Sequence, residues 1–237
     1  MTDTTGEGIG ESDKPPGRKG EQTREHLLRT ALRLFVAKGY QATTLRDIAT
    51  EAGSSLGLTY RYFARKEELV FALYERLAAE LEEEVAALPP GPLAARFGRA
   101  LLADLRRIEP YREAFAALYA AGLAPDSEVA VLGASVGGVR DRVWRTFQTV
   151  VTGATDAPRS RQVDEMTTVL YAAHLSVVLF WLQDRSEGQS ATRELIAFGT
   201  EMLGRFRPVL TLPFASRALT RLARILHPLF GPLPKSP

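Results

Sequence analysis

The 237-residue sequence predicts an all-α protein, with a three-helix unit near the N-terminus and a helical bundle in the remaining length. Apolar residues recur at intervals of three and four positions from residue 27 onward, which is the period of helices with one buried face. Beyond residue 66 no run of alternating apolar and polar residues predicts a strand. Short breaks rich in Pro and Gly, such as Leu88–Pro92, separate the helical runs. The chain is long enough for one domain or two closely packed domains.

The first predicted helix extends from Thr23, a candidate N-cap, to Gly39, a candidate residue for ending it. Its apolar side consists of Leu27, Leu28, Ala31, Leu32 and Phe35. The preceding residues 1–22 are rich in Gly, Pro, Ser and charge and lack an apolar segment. They predict a disordered tail and no secretory signal.

Residues 44–69 have the layout of two short helices joined by a tight turn and followed by a third helix. Thr44 and Asp47 form a capping box at the first of them. Gly53 stands where a left-handed C-cap is needed, and Ser54 or Ser55 can cap the next helix, which runs to about Tyr62. Phe63 returns the chain to the core, and the following helix starts near Lys66. This layout is typical of a helix-turn-helix that reads duplex DNA.

Positive charge is concentrated in the same segment. The whole chain has a net charge of only +2, yet residues 23–66 contain eight cations and three acids. This distribution favours contact with phosphates, because cations along a surface supply sequence-independent affinity for nucleic acid. A solvated basic face is the alternative.

The segment from Thr23 to Tyr74 contains LFVAKGY, TTLRDIA, an AG turn, TYRYF and KEEL at characteristic spacing. It resembles the DNA-binding domain of the tetracycline-repressor family, with departures at Leu58, Thr59 and Arg65. The resemblance covers about residues 23–75 as a dense motif. It implies a tail over 1–22, a DNA-binding domain over 23–68 and an effector-binding and dimerisation domain over 69–237.

The same resemblance implies that the helix over 55–62 lies in the major groove of operator DNA. The residues expected to contact DNA are Thr44, Arg46, Ser55, Leu56, Gly57, Leu58, Tyr60, Arg61, Tyr62 and Lys66. Gly57 allows a close backbone approach, and Leu56 and Leu58 can touch thymine methyl groups. Lys66 and Thr44 are expected to bind phosphates.

The remaining helices are predicted over 66–88, 93–107, 110–121, 126–152, 160–185, 190–208 and 215–228. Residues 166–183 carry no charge, which reaches the length of a membrane span. A helix that packs on its own subunit on one side and on a partner on the other has the same pattern. By the resemblance, 160–185 and 190–208 form a homodimer interface, and no contact with a membrane is expected. The basic helix over 215–228 is expected to pack on its own domain, with binding to a membrane surface as the alternative.

The resemblance also implies a small-molecule effector in the C-terminal domain. The candidate effector-binding residues are Phe97, Tyr111, Phe115, Tyr119, Trp144, Phe147 and His174. Their side chains predict a largely apolar effector. Packing of the same residues in a core is the alternative.

Several kinds of chemistry are not expected. The chain has no Cys and three scattered His, so it predicts no disulfide, no thiolate and no metal site or other cofactor. Gly133, Ser135 and Gly137 spell G-x-S-x-G, but this pattern marks a nucleophile only where a strand turns into a helix. The expected function is therefore not catalytic: a cytoplasmic, ligand-responsive, homodimeric repressor with an unknown effector and operator. A DNA-binding protein without an effector is one alternative, and a helical enzyme or interaction protein with a vestigial DNA domain is the other.

Overall fold

The computed structural model describes residues 18–122 and 137–230, and every regular element of these two ranges is helical. The α-helices are α1 (Arg18–Lys38), α2 (Leu45–Glu51), α3 (Leu56–Tyr62), α4 (Lys66–Ala86), α5 (Leu93–Ile108), α6 (Arg112–Gly122), α7 (Gly137–Thr152), α8 (Val163–Gln183), α9 (Ser190–Phe206) and α10 (Pro213–Phe230). Short 3-10 turns precede α6, α8, α9 and α10. The predicted all-α fold is confirmed.

The start of α1 differs from the prediction. The helix begins at Arg18, so residues 18–22 are helical and do not belong to a disordered tail. Thr23 is not the N-cap, because its hydroxyl lies inside the helix and donates to the Lys19 carbonyl oxygen four residues earlier. The predicted end is correct, since Gly39 has φ +83° and its N–H donates to the Phe35 carbonyl oxygen.

The later helices agree with the predicted ranges to within a few residues. Helix α4 ends at Ala86, where the backbone turns before the paired prolines. The predicted helix over 126–152 is described only from Gly137, and Gly133 and Ser135 of the G-x-S-x-G pattern lie outside the described residues. Gly137 itself is the first residue of α7.

Helix α4 belongs to both halves of the molecule. Its N-terminal part packs against α1, where Leu27, Ile48, Phe63 and Leu69 are at most 1% exposed. Its C-terminal part packs against α5 and α7, and α7 in turn packs on α8. Because one continuous helix contacts both halves, we expect a displacement of its C-terminal part to change the position of the N-terminal unit.

Arg96 of α5 joins the C-terminal ends of α4 and α7. Its side chain is buried, and its guanidinium donates to the carbonyl oxygens of Leu88 at 2.9 Å and Pro89 at 2.7 Å, just beyond α4. It also donates to Thr149 and Val150 at 3.1 Å each, in the last turn of α7. Burial, followed by the nearby Arg99, lowers the pKa of Arg96, but a guanidinium remains charged in proteins. The cation thus joins carbonyl oxygens just beyond α4 to carbonyl oxygens in the last turn of α7, where a positive charge is favourable.

The stretch Ser160–Gln183, which contains α8, is the one candidate membrane span among the described residues, with a mean hydropathy of 1.4. Half of its apolar window is buried inside the protein. One face meets α7 and α10, whereas Leu179 and Phe180 are 40% and 43% exposed. The helix is therefore a core helix with a second, uncovered apolar side.

Asp184 organises the turn between α8 and α9. Its carboxylate accepts from the backbone N–H and hydroxyl of Ser186 at 2.9 and 2.6 Å. It also accepts from the backbone N–H and hydroxyl of Thr192 in the first turn of α9, at 2.9 and 2.6 Å. These bonds lower the pKa of Asp184, those from the two hydroxyls contributing most.

We expect Asp184→Asn to destabilise the protein at pH 7 and to have a progressively smaller effect as the solution becomes acidic. The lowered folded-state pKa means that the carboxylate stabilises the fold above its unfolded-state pKa of about 3.9. That contribution is lost as the pH falls through the folded-state pKa. Urea unfolding of both proteins at several pH values between neutrality and about pH 3 measures the difference. Glu187→Gln, in the same turn, is the control, and a pH-independent difference for Asp184→Asn would contradict the assignment.

Candidate nucleic-acid interface and interior polar cluster

The turn between α2 and α3 has the predicted caps. The Thr44 hydroxyl accepts from the Asp47 N–H at 3.1 Å while the Asp47 carboxylate accepts from the Thr44 N–H at 2.9 Å. Gly53 has φ +63° and occupies the left-handed C-cap position. Between the two candidate serines, Ser55 is the cap of α3, with its hydroxyl accepting from the Leu58 N–H at 3.1 Å. The local sequence therefore sets the angle between the two helices.

Six of the ten candidate DNA-contacting residues are exposed. Those with exposed side chains or backbone are Thr44, Arg46, Ser55, Gly57, Tyr60 and Arg61. Leu56, Leu58 and Tyr62 are half-buried, and Leu56 and Tyr62 pack against the core. Thr59 is fully buried and its hydroxyl donates to the Ser55 carbonyl oxygen, so this departure from the common pattern faces the domain interior. Arg65 occupies the N-cap position of α4 but its side chain makes no cap hydrogen bond.

Among the described residues, two arginines of α2 and α3 differ from those of α1 in having no acidic partner. Arg33 of α1 is 3.0 Å from Glu51, and Arg29 is 3.8 Å from Glu25. Over residues 18–122 and 137–230, neither Arg46 nor Arg61 forms an ion pair. Their positive charges are available to an anionic partner.

Gly57 is not required by the packing of the domain. A Cβ built on it meets no atom within 4 Å, and its φ is not in the left-handed region. A glycine inside a helix costs roughly 1 kcal/mol relative to alanine. Its small size is thus useful only if something outside the domain approaches the backbone of α3 closely.

The environment of Lys66 differs from that of an exposed surface cation. It is half-buried, its ammonium donates to the Tyr40 carbonyl oxygen at 2.9 Å, and it lies 4.3 Å from the centroid of the Tyr40 ring. The Tyr40 hydroxyl donates to Glu67 at 3.2 Å, and its backbone N–H donates to Glu113 of α6 at 3.0 Å. Burial, followed by the charge of Glu67, raises the pKa of Tyr40. Tyr40 therefore connects the start of α4 to α6 in the C-terminal half.

Six of the seven candidate effector-binding residues are buried in the C-terminal core, namely Phe97, Phe115, Tyr119, Trp144, Phe147 and His174. The rings of Phe97, Phe147 and His174 form a contiguous series, with centroid separations of 5.7 and 4.8 Å. Tyr111 does not join them. It lies in the turn before α6 and lines a cleft between α1 and α4.

The aromatic residues enclose polar groups that sequence reasoning missed. Asp104 of α5 is 7% exposed, and its Oδ2 is 2.7 Å from His174 Nε2. Tyr74, Tyr119 and Tyr171 lie within electrostatic reach of one another, and the Asp104 charge acts on Tyr74 and Tyr119. Burial is the main cause that raises the pKa of all three phenols, so they are neutral at physiological pH. We call Asp104, His174 and the three tyrosines the interior polar cluster.

A signal for Asp104 exists in the sequence. Phe97, Leu101, Asp104 and Ile108 share one face of α5, so the acid interrupts an apolar stripe whose other members are buried. An acid on the buried stripe of a helix requires a partner, and only the fold shows that the partner is His174.

An apolar groove lies next to this cluster, between α8 and α9. It has a volume of about 550 Å³ and its floor includes Phe97 and Leu101. The Ser176 and Thr200 hydroxyls in its walls bond to carbonyl groups of their own helices. The groove therefore presents an apolar surface.

Comparison with known sequences identifies two matching regions. A profile described as bacterial regulatory proteins, tetR family, matches residues 27–73. A second, described as a tetracyclin repressor-like C-terminal domain, matches residues 99–206. The first covers α2 and α3 with most of α1, and the second covers the interior polar cluster except Tyr74.

Curated relatives match over part of the chain. The regulator AcrR of Shigella flexneri is 39% identical over 77 residues, which is 31% of this chain and 36% of AcrR. TcmR of Streptomyces glaucescens is 39% identical over 95 residues, covering 38% of this chain and 41% of TcmR. The matches thus span less than half the length of these relatives.

Solved structures match over a greater length. A tetR-family transcriptional regulator from Streptomyces coelicolor is 25% identical, with a TM-score of 0.58 over 90% of this chain and 92% of its own. FadR from Thermus thermophilus, a repressor solved in complex with lauroyl-CoA, is 20% identical, with a TM-score of 0.53 over 73% of this chain and 93% of its own. The FadR likeness concerns the fold.

Proposed function

The chain belongs to the tetR family of bacterial regulatory proteins and is a DNA-binding transcription regulator, and we propose that it is a homodimeric repressor released from a palindromic operator by a small molecule. The observation that carries the proposal is the exposed side of α2 and α3, where Arg46 and Arg61 have no acidic partner in the described ranges. We place its action in the cytoplasm, where a regulator meets its operator.

The proposed contacts divide into those that read bases and those that bind phosphate. Arg46 and Arg61 are exposed and unpaired within the described structure, so either can reach guanine or phosphate. Gly57 lets the backbone of α3 approach the groove, and Leu58 offers an apolar contact to a thymine methyl group. Tyr60, which is 51% exposed, is placed to donate to a phosphate.

The proposed dimer uses the uncovered sides of α8 and α9. Only Thr192 and Ile196 of the 17 residues of α9 are buried, although the helix packs on α5. Phe198 and Phe206 are 60% and 59% exposed, and Phe180 of α8 is 43% exposed. Such a set of exposed aromatic side chains on neighbouring helices is typical of an interaction surface. To bind a pseudo-palindrome, the twofold axis of this dimer has to place the two recognition helices about one DNA turn apart, ~34–36 Å.

The proposed release mechanism uses the connection between α6 and α4. Phe115 and Tyr119 of α6 lie in the C-terminal core, and Glu113 of the same helix accepts from the Tyr40 N–H. An effector that moves α6 would alter this bond and, through Lys66, the start of α4. The two recognition helices would then lose their spacing. Such a ligand must bind the released conformation better, and a typical coupling of about 1–3 kcal/mol gives roughly 5–150-fold.

The test is fluorescence anisotropy with DNA selected from genomic fragments, against scrambled DNA of equal length. We expect a preference of ~10³-fold or more for the selected operator at physiological salt. Arg61→Ala should reduce that preference, at about 1–3 kcal/mol for a lost base contact, and leave binding to scrambled DNA less changed. Equal losses on both DNAs would contradict base reading by Arg61.

Lys66→Met is the matched phosphate variant, since it retains most of the aliphatic stem of the side chain. If the ammonium binds phosphate, the substitution should weaken binding to both DNAs alike. It should also reduce the slope of log affinity against log salt concentration by about one unit. Urea unfolding of the same variant separates this effect from loss of the bond to the Tyr40 carbonyl oxygen. An unchanged salt slope would assign Lys66 to the Tyr40 contact alone.

A further inference from the structure

The interior polar cluster lies among apolar and aromatic side chains of the C-terminal core. Its carboxylate, imidazole and three phenols come from α4, α5, α6 and α8. Burying an acid with an imidazole gives little net stability compared with apolar side chains of similar size, because both groups lose their hydration. Stability alone therefore does not account for the cluster.

Of the two ring nitrogens of His174, one forms a hydrogen bond and the other has no partner in the described structure. The Asp104 carboxylate is an acceptor, so the 2.7 Å contact assigns the proton to Nε2, which donates to Oδ2. His174 Nδ1 is buried and has no hydrogen-bond partner. In the neutral imidazole with this tautomer Nδ1 is a bare acceptor, which a donor group would satisfy.

The charges around the cluster disfavour an anion. Asp104 carries a negative charge next to His174. The cation that acts on Tyr171 is Arg140, whose Nε is 3.4 Å from the Asp141 carboxylate, and Asp141 opposes its effect on Tyr171. An anionic group at Nδ1 would meet the Asp104 charge in a medium of low polarity and would also lack a proton to donate.

Aromatic rings adjoin His174, and an apolar groove lies beyond them. The Phe147 ring centroid is 4.8 Å from that of His174, and Phe97 stands 5.7 Å from Phe147 in an edge-on arrangement. Phe97 is also part of the floor of the α8–α9 groove, and Leu170 in its wall lies one helical turn before His174. A volume of about 550 Å³ is within the range of small-molecule sites, roughly 300–1,000 Å³. The Phe97 and Phe147 rings therefore connect the groove to His174.

We propose that the effector is an uncharged ring compound bearing a hydroxyl or N–H group, and that this group donates a hydrogen bond to His174 Nδ1. This assignment rests on the proposed function, since it names the ligand class of a ligand-responsive regulator. Asp104 is a positioning residue, because it holds the imidazole in the tautomer that leaves Nδ1 free to accept. Phe97 and Phe147 provide the ring contacts.

The test uses two probes that differ in one hydrogen-bond donor. The two compounds, 2-naphthol and 2-methoxynaphthalene, share the ring system and the oxygen acceptor, but only 2-naphthol can donate. Isothermal titration calorimetry of the full chain should give ~10-fold tighter binding of 2-naphthol, the effect of about one hydrogen bond. The anion 2-naphthoate should bind more weakly than either. Equal affinities for the two neutral probes, or no binding of either, would overturn the proposal.

A double variant tests whether the Asp104–His174 pair causes the preference for 2-naphthol. In Asp104→Leu/His174→Leu the buried charge and its partner are removed together, so no unpaired charge remains. This protein should bind both neutral probes with equal affinity, and a persisting preference for 2-naphthol would place the donor contact elsewhere.

A measurement on the unaltered protein does not depend on the folding of the variant. The chain has three histidines, so the ring nitrogens of His174 can be resolved by nitrogen-15 NMR. Addition of 2-naphthol should shift the Nδ1 resonance of His174 in the direction of an accepted hydrogen bond, and 2-methoxynaphthalene should not. An unshifted resonance at saturating 2-naphthol would overturn the proposal.

A separate measurement distinguishes failure of the proposed regulatory function from failure of the proposed ligand contact. Anisotropy with operator DNA is measured in the presence of each probe. Binding that follows the predicted order without any change in DNA affinity supports the site and contradicts its role in release. If a probe releases the protein from DNA without shifting the His174 resonance, the result contradicts the assigned contact and supports a role for an effector in release.

Discussion

Phe198→Asp is expected to convert the protein from a dimer to a monomer and to lower its affinity for operator DNA by at least about 100-fold. Phe198 is 60% exposed on α9, a helix with two buried residues. In the proposed dimer each copy of the variant would bury a carboxylate without a partner, at a cost of several kcal/mol per ion. A monomer would retain only one recognition helix per DNA molecule and would lose the second half-site. Sedimentation velocity and anisotropy on the selected operator measure the two effects.

Two controls make the result specific. Phe198→Leu retains an apolar side chain and should remain dimeric. Val36→Asp introduces the same charge at a residue of similar exposure, 57%, on α1, which the proposal leaves outside the interface. It should not change the oligomeric state. A dimeric Phe198→Asp protein would contradict the assignment of α9 to the interface.

Arg96→Met is expected to lower the free energy of unfolding by about 3 kcal/mol. The substitution retains much of the volume of the side chain but removes the donors to two carbonyl groups just beyond α4 and two in the last turn of α7. A buried acceptor left without a partner costs roughly 1–3 kcal/mol, and relaxation of the loop will reduce the sum. Gly153 shows how closely the guanidinium is enclosed, because a Cβ there would lie 2.5 Å from Arg96 Nη2.

Urea unfolding at neutral pH measures this loss. Arg99→Met is the control, since Arg99 lies one turn further along α5 with its side chain exposed, and surface substitutions usually change stability by less than about 0.5 kcal/mol. Equal effects of the two substitutions would show that the contacts of Arg96 are not important for stability.

The DNA-binding half could be predicted in detail because its signals are local. The capping box of Thr44 and Asp47 and the left-handed Gly53 involve residues within a few positions of each other. The start of α1 could not be predicted in this way. Thr23 has the residue type of an N-cap, but it lies inside the helix and its hydroxyl donates to the Lys19 carbonyl oxygen. The residue type shows which side chains are able to cap a helix. Whether such a side chain is a cap depends on where the backbone becomes helical.

The interior half was predicted less completely because its contacts are distant in sequence. Tyr111 and Phe115 are four residues apart, yet Phe115 is buried beside Tyr74 and Tyr111 lines a cleft against α1. Asp104 and His174 are 70 positions apart, and neither alone identifies the other.

The sequence by itself determined that this protein is helical, that residues 44–69 form a helix-turn-helix, and which polar and basic residues α2 and α3 present. These properties depend on helical periodicity and on caps that act over one turn. Only the tertiary structure decided that Lys66 bonds to Tyr40, that Arg96 joins the ends of two helices, and that Asp104 meets His174. The reason is physical: a buried polar group must find a partner, but which helix supplies that partner depends on how the helices pack.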